Sequence, residues 1–135
     1  LIFDMLKGFI PVVVLKNYFI DQSFVILFIF LGHLFPIWIK FRGGKGIAVI
    51  IGCLFGYKFI YGLVYILIWL IIAVVTKYSS LSALFASVSI LILVYTENDN
   101  IFLMLLIIVT MIFLKHIPNI KRLLKGNELK INLKK

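Results

Sequence analysis

Acidic residues are scarce in this 135-residue sequence: five Asp and Glu stand against 14 Lys and Arg, and all charged types together make up 14 % of the chain. A soluble domain carries about 25 % charged residues, so this shortage excludes an ordinary water-soluble globule. With 64 % apolar residues and a mean hydropathy of +1.19, the chain holds more greasy surface than one core can hide. At this size roughly 30 % of the unfolded surface stays exposed even after good packing, and the solvent for it must be lipid. Cysteine is nearly absent as well; the lone Cys53 can form no internal disulfide and reads as a small core hydrophobe. The opening LIFDMLKGFIPVVV carries Asp4 and Lys7 inside its apolar stretch and is not expected to be a signal peptide. The chain is expected to be a piece that begins inside a helix. Its net charge of +9 would suggest nucleic acid in a soluble protein, but membrane proteins collect basic residues on their cytoplasmic side, and no nucleic-acid partner is expected.

What is present is a series of apolar runs. Broken by charge, Gly, Pro or Asn, they fall at 1–15, 24–39, 47–57, 59–75, 81–95 and 101–114, six candidate helices of an all-α transmembrane bundle. A full crossing takes roughly 20 residues at about 1.5 Å each, so most runs span only with their interfacial ends included. The 11-residue run 47–57, with Gly52 and Gly56, also reads as a half-helix. If segment 40–46 is cytoplasmic and the helices alternate, eleven basic residues fall inside and only Lys16 and Lys58 outside, together with Asp21, Glu97 and Asp99. This obeys the positive-inside rule. The expected organisation is one integral membrane domain over 1–135, with spans through 114 and a basic cytoplasmic tail from 115. Trp38, Tyr78 and Tyr95 fall at the proposed interfaces.

Candidate chemistry gathers on the same side. Gly43, Gly44 and Gly46 surround Lys45 directly before an apolar helix. Backbone amides freed of side chains, a helix N-terminus and one ammonium suit a phosphate, although the order of residues is not that of a nucleotide-binding P-loop. A plain turn with topogenic charges fits the same residues. His116 and Asn119 are three apart, so one helical turn places them on one face where they can hold a hydroxyl or an oxyanion, or form a solvated polar turn. His33, between Gly32 and Pro36, reads first as a partner for a carbonyl freed by a kink. Asp4 and Lys7 read as a buried structural pair, and Ser79, Ser80 and Ser82 as ordinary N-capping residues. IKRLLKGNELK suits a short amphipathic helix on the membrane surface, stopped at Gly126. Two histidines and five acids show no ligand spacing, so neither metal nor cofactor is expected.

Two longer motifs carry a resemblance. LGHLFPIWIKFRGGKGIA (31–48) and HIPNIKRLLKGNE (116–128) resemble the second and third motifs of the bacterial acyl-phosphate:glycerol-3-phosphate acyltransferases, with DMLKGFIPV and YSSLS at similar places. The resemblance implies an integral enzyme of phospholipid synthesis in the bacterial inner membrane, its active site facing the cytoplasm. It would move an acyl group from acyl phosphate to the 1-hydroxyl of glycerol 3-phosphate. Gly43, Gly44, Lys45 and Gly46 then match the substrate-phosphate loop, Ser80 and Ser82 match serines near it, His116 and Asn119 match the catalytic pair, and Glu128 matches an acid of structural role. The His-x4-Asp dyad of another acyltransferase class is absent, since Trp38 and Lys121 occupy the fifth positions. The family's first span and its Ser/Arg-bearing first motif have no counterpart here, so the isolated chain is expected to be inactive. Two other readings remain: a transporter or channel for a phosphorylated metabolite, and a non-catalytic membrane scaffold. Oligomeric state is not legible in the sequence.

Overall fold

The structure, a computed structural model, describes residues 1–18, 21–37 and 43–132, and among these every regular element is helical. Seven helices follow in order: α1 (Ile2–Leu15), α2 (Gln22–Leu34), α3 (Ile47–Tyr57), α4 (Phe59–Thr76), α5 (Ser79–Thr96), α6 (Phe102–Lys115) and α7 (Ile117–Leu124). The six expected runs are the first six of these; the seventh is the amphipathic segment after His116. Run 24–39 is corrected, because α2 ends at Leu34. Trp38, Lys40 and Arg42 lie outside the described residues.

By length and composition, among the described residues α4 and α5, at 18 residues each, are long and apolar enough to cross a membrane, or there are three spans if α6 and α7, bent by 56°, count as one. Helices α1, α2, α3 and α6 have 14, 13, 11 and 14 residues, so a six-crossing count cannot rest on helix length. The helix ends nevertheless alternate. Lys16 after α1 donates to the Tyr57 carbonyl at the end of α3 (3.0 Å), which makes α1 and α3 parallel, with α2 returning between them.

Small residues set the closest packing. A Cβ on Gly52 would collide with the Met5 carbonyl oxygen, and one on Gly8 with that of Val49. Gly56 lies against Phe9 and Val12 in the same seam. The Gly52/Gly56 spacing is thus a small-xxx-small interface that lets two backbones touch, the usual way for helices to associate where lipid removes any hydrophobic drive. Cys53 is wholly buried in this seam, as a small hydrophobe should be. Elsewhere Tyr61 and Tyr65 of α4 are buried, and the Tyr65 hydroxyl is satisfied by Ser87 of α5 (2.8 Å). The described residues after α7 are tied back to the bundle. Ile131 N–H donates to the Lys77 carbonyl (2.7 Å), pinning the segment to the α4–α5 turn.

Candidate active site

One end of the bundle collects the start of α1, the end of α2, the loop before α3, the α4–α5 turn, the α6–α7 bend and the segment at Glu128. Together they line a cavity of about 600 Å³. Its floor and sides are apolar, from Met5, Ile51, Ile66, Trp69 and Ala83; its polar lining is Asp4, His33, Lys45, Ser79, Ser80, His116, Asn119 and Glu128.

The loop is shaped by what presses on it. Gly46 caps α3 at φ +82°, a left-handed conformation that glycine adopts without strain, and the Phe30 ring fills the space a Cβ would need. A Cβ on Gly43 would overlap the carbonyls of His33 and Leu34, and one on Gly44 would come within 3.0 Å of His33 Nε2. The glycines therefore seat the loop on the end of α2. In doing so they present Lys45 and the uncapped start of α3 to the cavity, with Ile47 and Ala48 on its wall.

A hydrogen-bonded chain links the predicted residues. Lys45 Nζ donates to Asn119 Oδ1 (2.5 Å), Asn119 Nδ2 donates to Glu128 Oε1 (2.6 Å), and Ser80 Oγ donates to the same oxygen (2.6 Å). Arg122 Nε closes the set on Glu128 Oε2 (2.6 Å). An amide between an ammonium and a carboxylate has one sensible orientation, so the amide of Asn119 is fixed. His116 is 1 % exposed, and its Nδ1 faces the Ile112 carbonyl at 2.8 Å. A carbonyl only accepts, so Nδ1 carries the proton and the neutral ring keeps its lone pair on Nε2.

The charges are tuned by these contacts. Burial lowers the pKa of His116, against the opposing bond to Ile112, which keeps the ring neutral near pH 7. Partial desolvation also lowers Lys45, while the Glu128 charge pulls the other way. For Glu128, burial raises the pKa, but bonds from Asn119, Ser80 and Arg122 outweigh it and bring the carboxyl down to about 2.

Several expectations are corrected here. Ser82 is not brought to the cavity: it is fully buried, and its hydroxyl donates to the Tyr78 carbonyl (2.8 Å) one turn back. None of the serines caps α5; Tyr78 holds that position, and its N–H goes to Thr76 Oγ1 (3.2 Å). Asp4 and Lys7 do pair, at 3.3 Å, but with side chains 35 % and 66 % exposed they are not buried in the protein. His33 sits in the last turn of α2 against the loop, bordering this cavity and a neighbouring one of about 400 Å³ with Gly43. Arg122 was missed: it is six residues from Glu128, a separation with no helical meaning until the chain reverses at Gly126 (φ +70°).

These features define a class: an integral membrane helical bundle with a largely apolar cavity at one end, its edge carrying Lys45, His116, Asn119 and Glu128. Residues 1–126 match the family described as glycerol-3-phosphate acyltransferase, and the chain belongs to that family. A glycerol-3-phosphate acyltransferase from Ehrlichia canis is 40 % identical over 97 % of this chain and 71 % of its own length. One from Francisella tularensis subsp. novicida is 46 % identical over 97 % of this chain and 66 % of its own, so the chain spans about two thirds of such relatives. The crystal structure of PlsY (YgiH), an integral membrane glycerol 3-phosphate acyltransferase, in its glycerol 3-phosphate form superposes with a TM-score of 0.92 at 32 % identity, covering 97 % of this chain and 68 % of that one. The lysophosphatidic acid form gives 0.89 at 33 %, covering 97 % and 70 %.

Proposed function

We propose that this end of the bundle binds glycerol 3-phosphate and transfers to its 1-hydroxyl a fatty acyl group from acyl phosphate, releasing 1-acylglycerol 3-phosphate and phosphate. The observation that carries the reading is the chain Lys45–Asn119–Glu128–Ser80 beside a neutral, buried His116 on one cavity wall. Lys45 and the first amides of α3 receive the phosphate of glycerol 3-phosphate. The glycerol hydroxyl lies toward His116 and Asn119, where Nε2 accepts its proton as the oxygen attacks the acyl carbon. The amide of Asn119 and the loop N–H groups steady the developing oxyanion. The acyl phosphate is already activated, and its departing phosphate is a good leaving group, so positioning does most of the catalysis. The acyl tail occupies the apolar part of the cavity along α3, α4 and α5. Glu128 holds Asn119 and Ser80 in place. By the positive-inside count this end faces the cytoplasm, and the bundle sits in the bacterial inner membrane.

The test is radiolabelled acyl transfer by the full translated protein in lipid vesicles, with acyl phosphate and glycerol 3-phosphate supplied. The expected product is 1-acylglycerol 3-phosphate, formed only when both substrates are present. Uptake of intact glycerol 3-phosphate into sealed vesicles with no acylated product would overturn the proposal.

A further inference from the structure

The reading of the site leaves a question of charge. A phosphate monoester carries about −1.5 to −2 near neutral pH, yet the cavity lining offers one ammonium, Lys45, against two carboxylates: Asp4, paired with Lys7, and Glu128, one amide away from Lys45. Glu128 is held with its side chain only 7 % exposed, and its charge sits on the far side of Asn119 from Lys45. Left unbalanced, that carboxylate would be the natural counter-ion of Lys45, and a substrate phosphate would have to compete with it.

The structure supplies the balance. Oε1 of Glu128 is taken by two neutral donors, Ser80 and Asn119, while Oε2 takes the guanidinium of Arg122 at 2.6 Å. Arg122 does not line the cavity; it is 47 % exposed on α7 and reaches Glu128 from outside. Its position on α7 depends on the 56° bend at His116 and on the reversal at Gly126, so the element that carries Asn119 inward also carries the guanidinium around behind Glu128.

We infer that Arg122 is a positioning residue that cancels the charge of Glu128, so that the carboxylate orients Asn119 and Ser80 without capturing Lys45, whose charge stays available to the substrate phosphate. The inference rests on the proposed assignment of glycerol 3-phosphate to this site. Arg122 touches neither substrate nor reacting atoms; it acts through Glu128. A guanidinium suits the task because it stays charged at any working pH, and here it meets the carboxylate through one contact, from Nε to Oε2. An ordinary half-exposed ion pair contributes little, and the difference here is that its acidic partner is nearly buried and shares an amide with the binding lysine.

The experiment measures binding of glycerol 3-phosphate by the full translated protein in vesicles, together with acyl-transfer kinetics, for wild type, Arg122→Gln, Arg122→Lys, Glu128→Gln and the double variant Arg122→Gln/Glu128→Gln. Arg122→Gln is expected to weaken binding and raise KM for glycerol 3-phosphate about five- to tenfold, with kcat kept within about threefold. Arg122→Lys, which keeps the charge, should come within about threefold of wild type. Once Glu128 is neutral, removing Arg122 should change binding less than about twofold. Equal losses from Arg122→Gln in both backgrounds, or a folded Arg122→Lys as impaired as the Gln variant, would overturn the inference, as would unchanged binding in Arg122→Gln. Wild type that binds no glycerol 3-phosphate would sink the assignment beneath it instead, and that result is separately visible.

Discussion

At the end of the bundle away from the cavity, Lys58 donates to Glu97 at 2.7 Å and lies 3.5 Å from Asp99, while Tyr57 and Tyr61 donate to the same acids at 2.6–2.8 Å. At the cavity end, Lys45 donates to a neutral amide, and the nearest acid is engaged by Arg122. Both ends are built from a lysine, acids and hydroxyls, yet their lysines are perturbed in opposite directions. The bond to Glu97 raises Lys58, whereas partial desolvation lowers Lys45. A lysine tied to carboxylates is a clasp: it joins the α3–α4 turn to the α5–α6 turn and has little charge left for a ligand. A lysine held by an amide beside a cavity keeps its charge, which is what an anion site requires. Composition cannot separate the two cases; the partner does.

Three perturbations test that contrast, in decreasing order of effect. His116→Gln removes the proton acceptor on the cavity wall and should lower kcat about a hundredfold or more, with binding of glycerol 3-phosphate nearly unchanged. Because burial depresses the pKa of His116, the acid limb of the wild-type rate profile should be centred below the ordinary histidine value, where the ring becomes protonated. A decline centred at the unperturbed histidine value would contradict this. Next, Lys45→Ala should weaken glycerol 3-phosphate binding about ten- to a hundredfold, as expected for loss of one charge-assisted contact, while Lys58→Ala leaves it within twofold. Titration calorimetry in vesicles or detergent checks the pair, and equal effects would erase the contrast. Smallest is Asp99→Asn at the clasp, whose side chain is 10 % exposed and accepts both tyrosine hydroxyls. It should cost about 1–3 kcal/mol in unfolding by denaturant, with activity per folded molecule retained. A stability unchanged by this substitution would show that the clasp contributes nothing.

Much of the site was legible because its residues fall in two short segments, 43–46 and 116–119, each with its own local logic: glycines before an apolar helix, and two polar residues one helical turn apart. Ser82 was misplaced for a local reason too, since a serine inside a helix readily bonds the carbonyl four residues back, and here it does so with Tyr78. The 11-residue run with Gly52 and Gly56 reads as a short helix, which α3 is; what its glycines do, close contact with α1, is not legible there. That role depends on which helix lies opposite, which no single segment encodes.

Apolar periodicity, charge asymmetry and turn residues by themselves determined an all-helical membrane bundle, its six main helices and the residue types at its working end, because each of these follows from the preference of a short stretch for lipid, water or a helical backbone. Only the folded arrangement decided that Lys45 meets an amide and Lys58 meets acids, and that Arg122 stands behind Glu128. Those pairings join residues 74, 39 and 6 positions apart, and their energies depend on distance and burial, which exist only once the helices have packed.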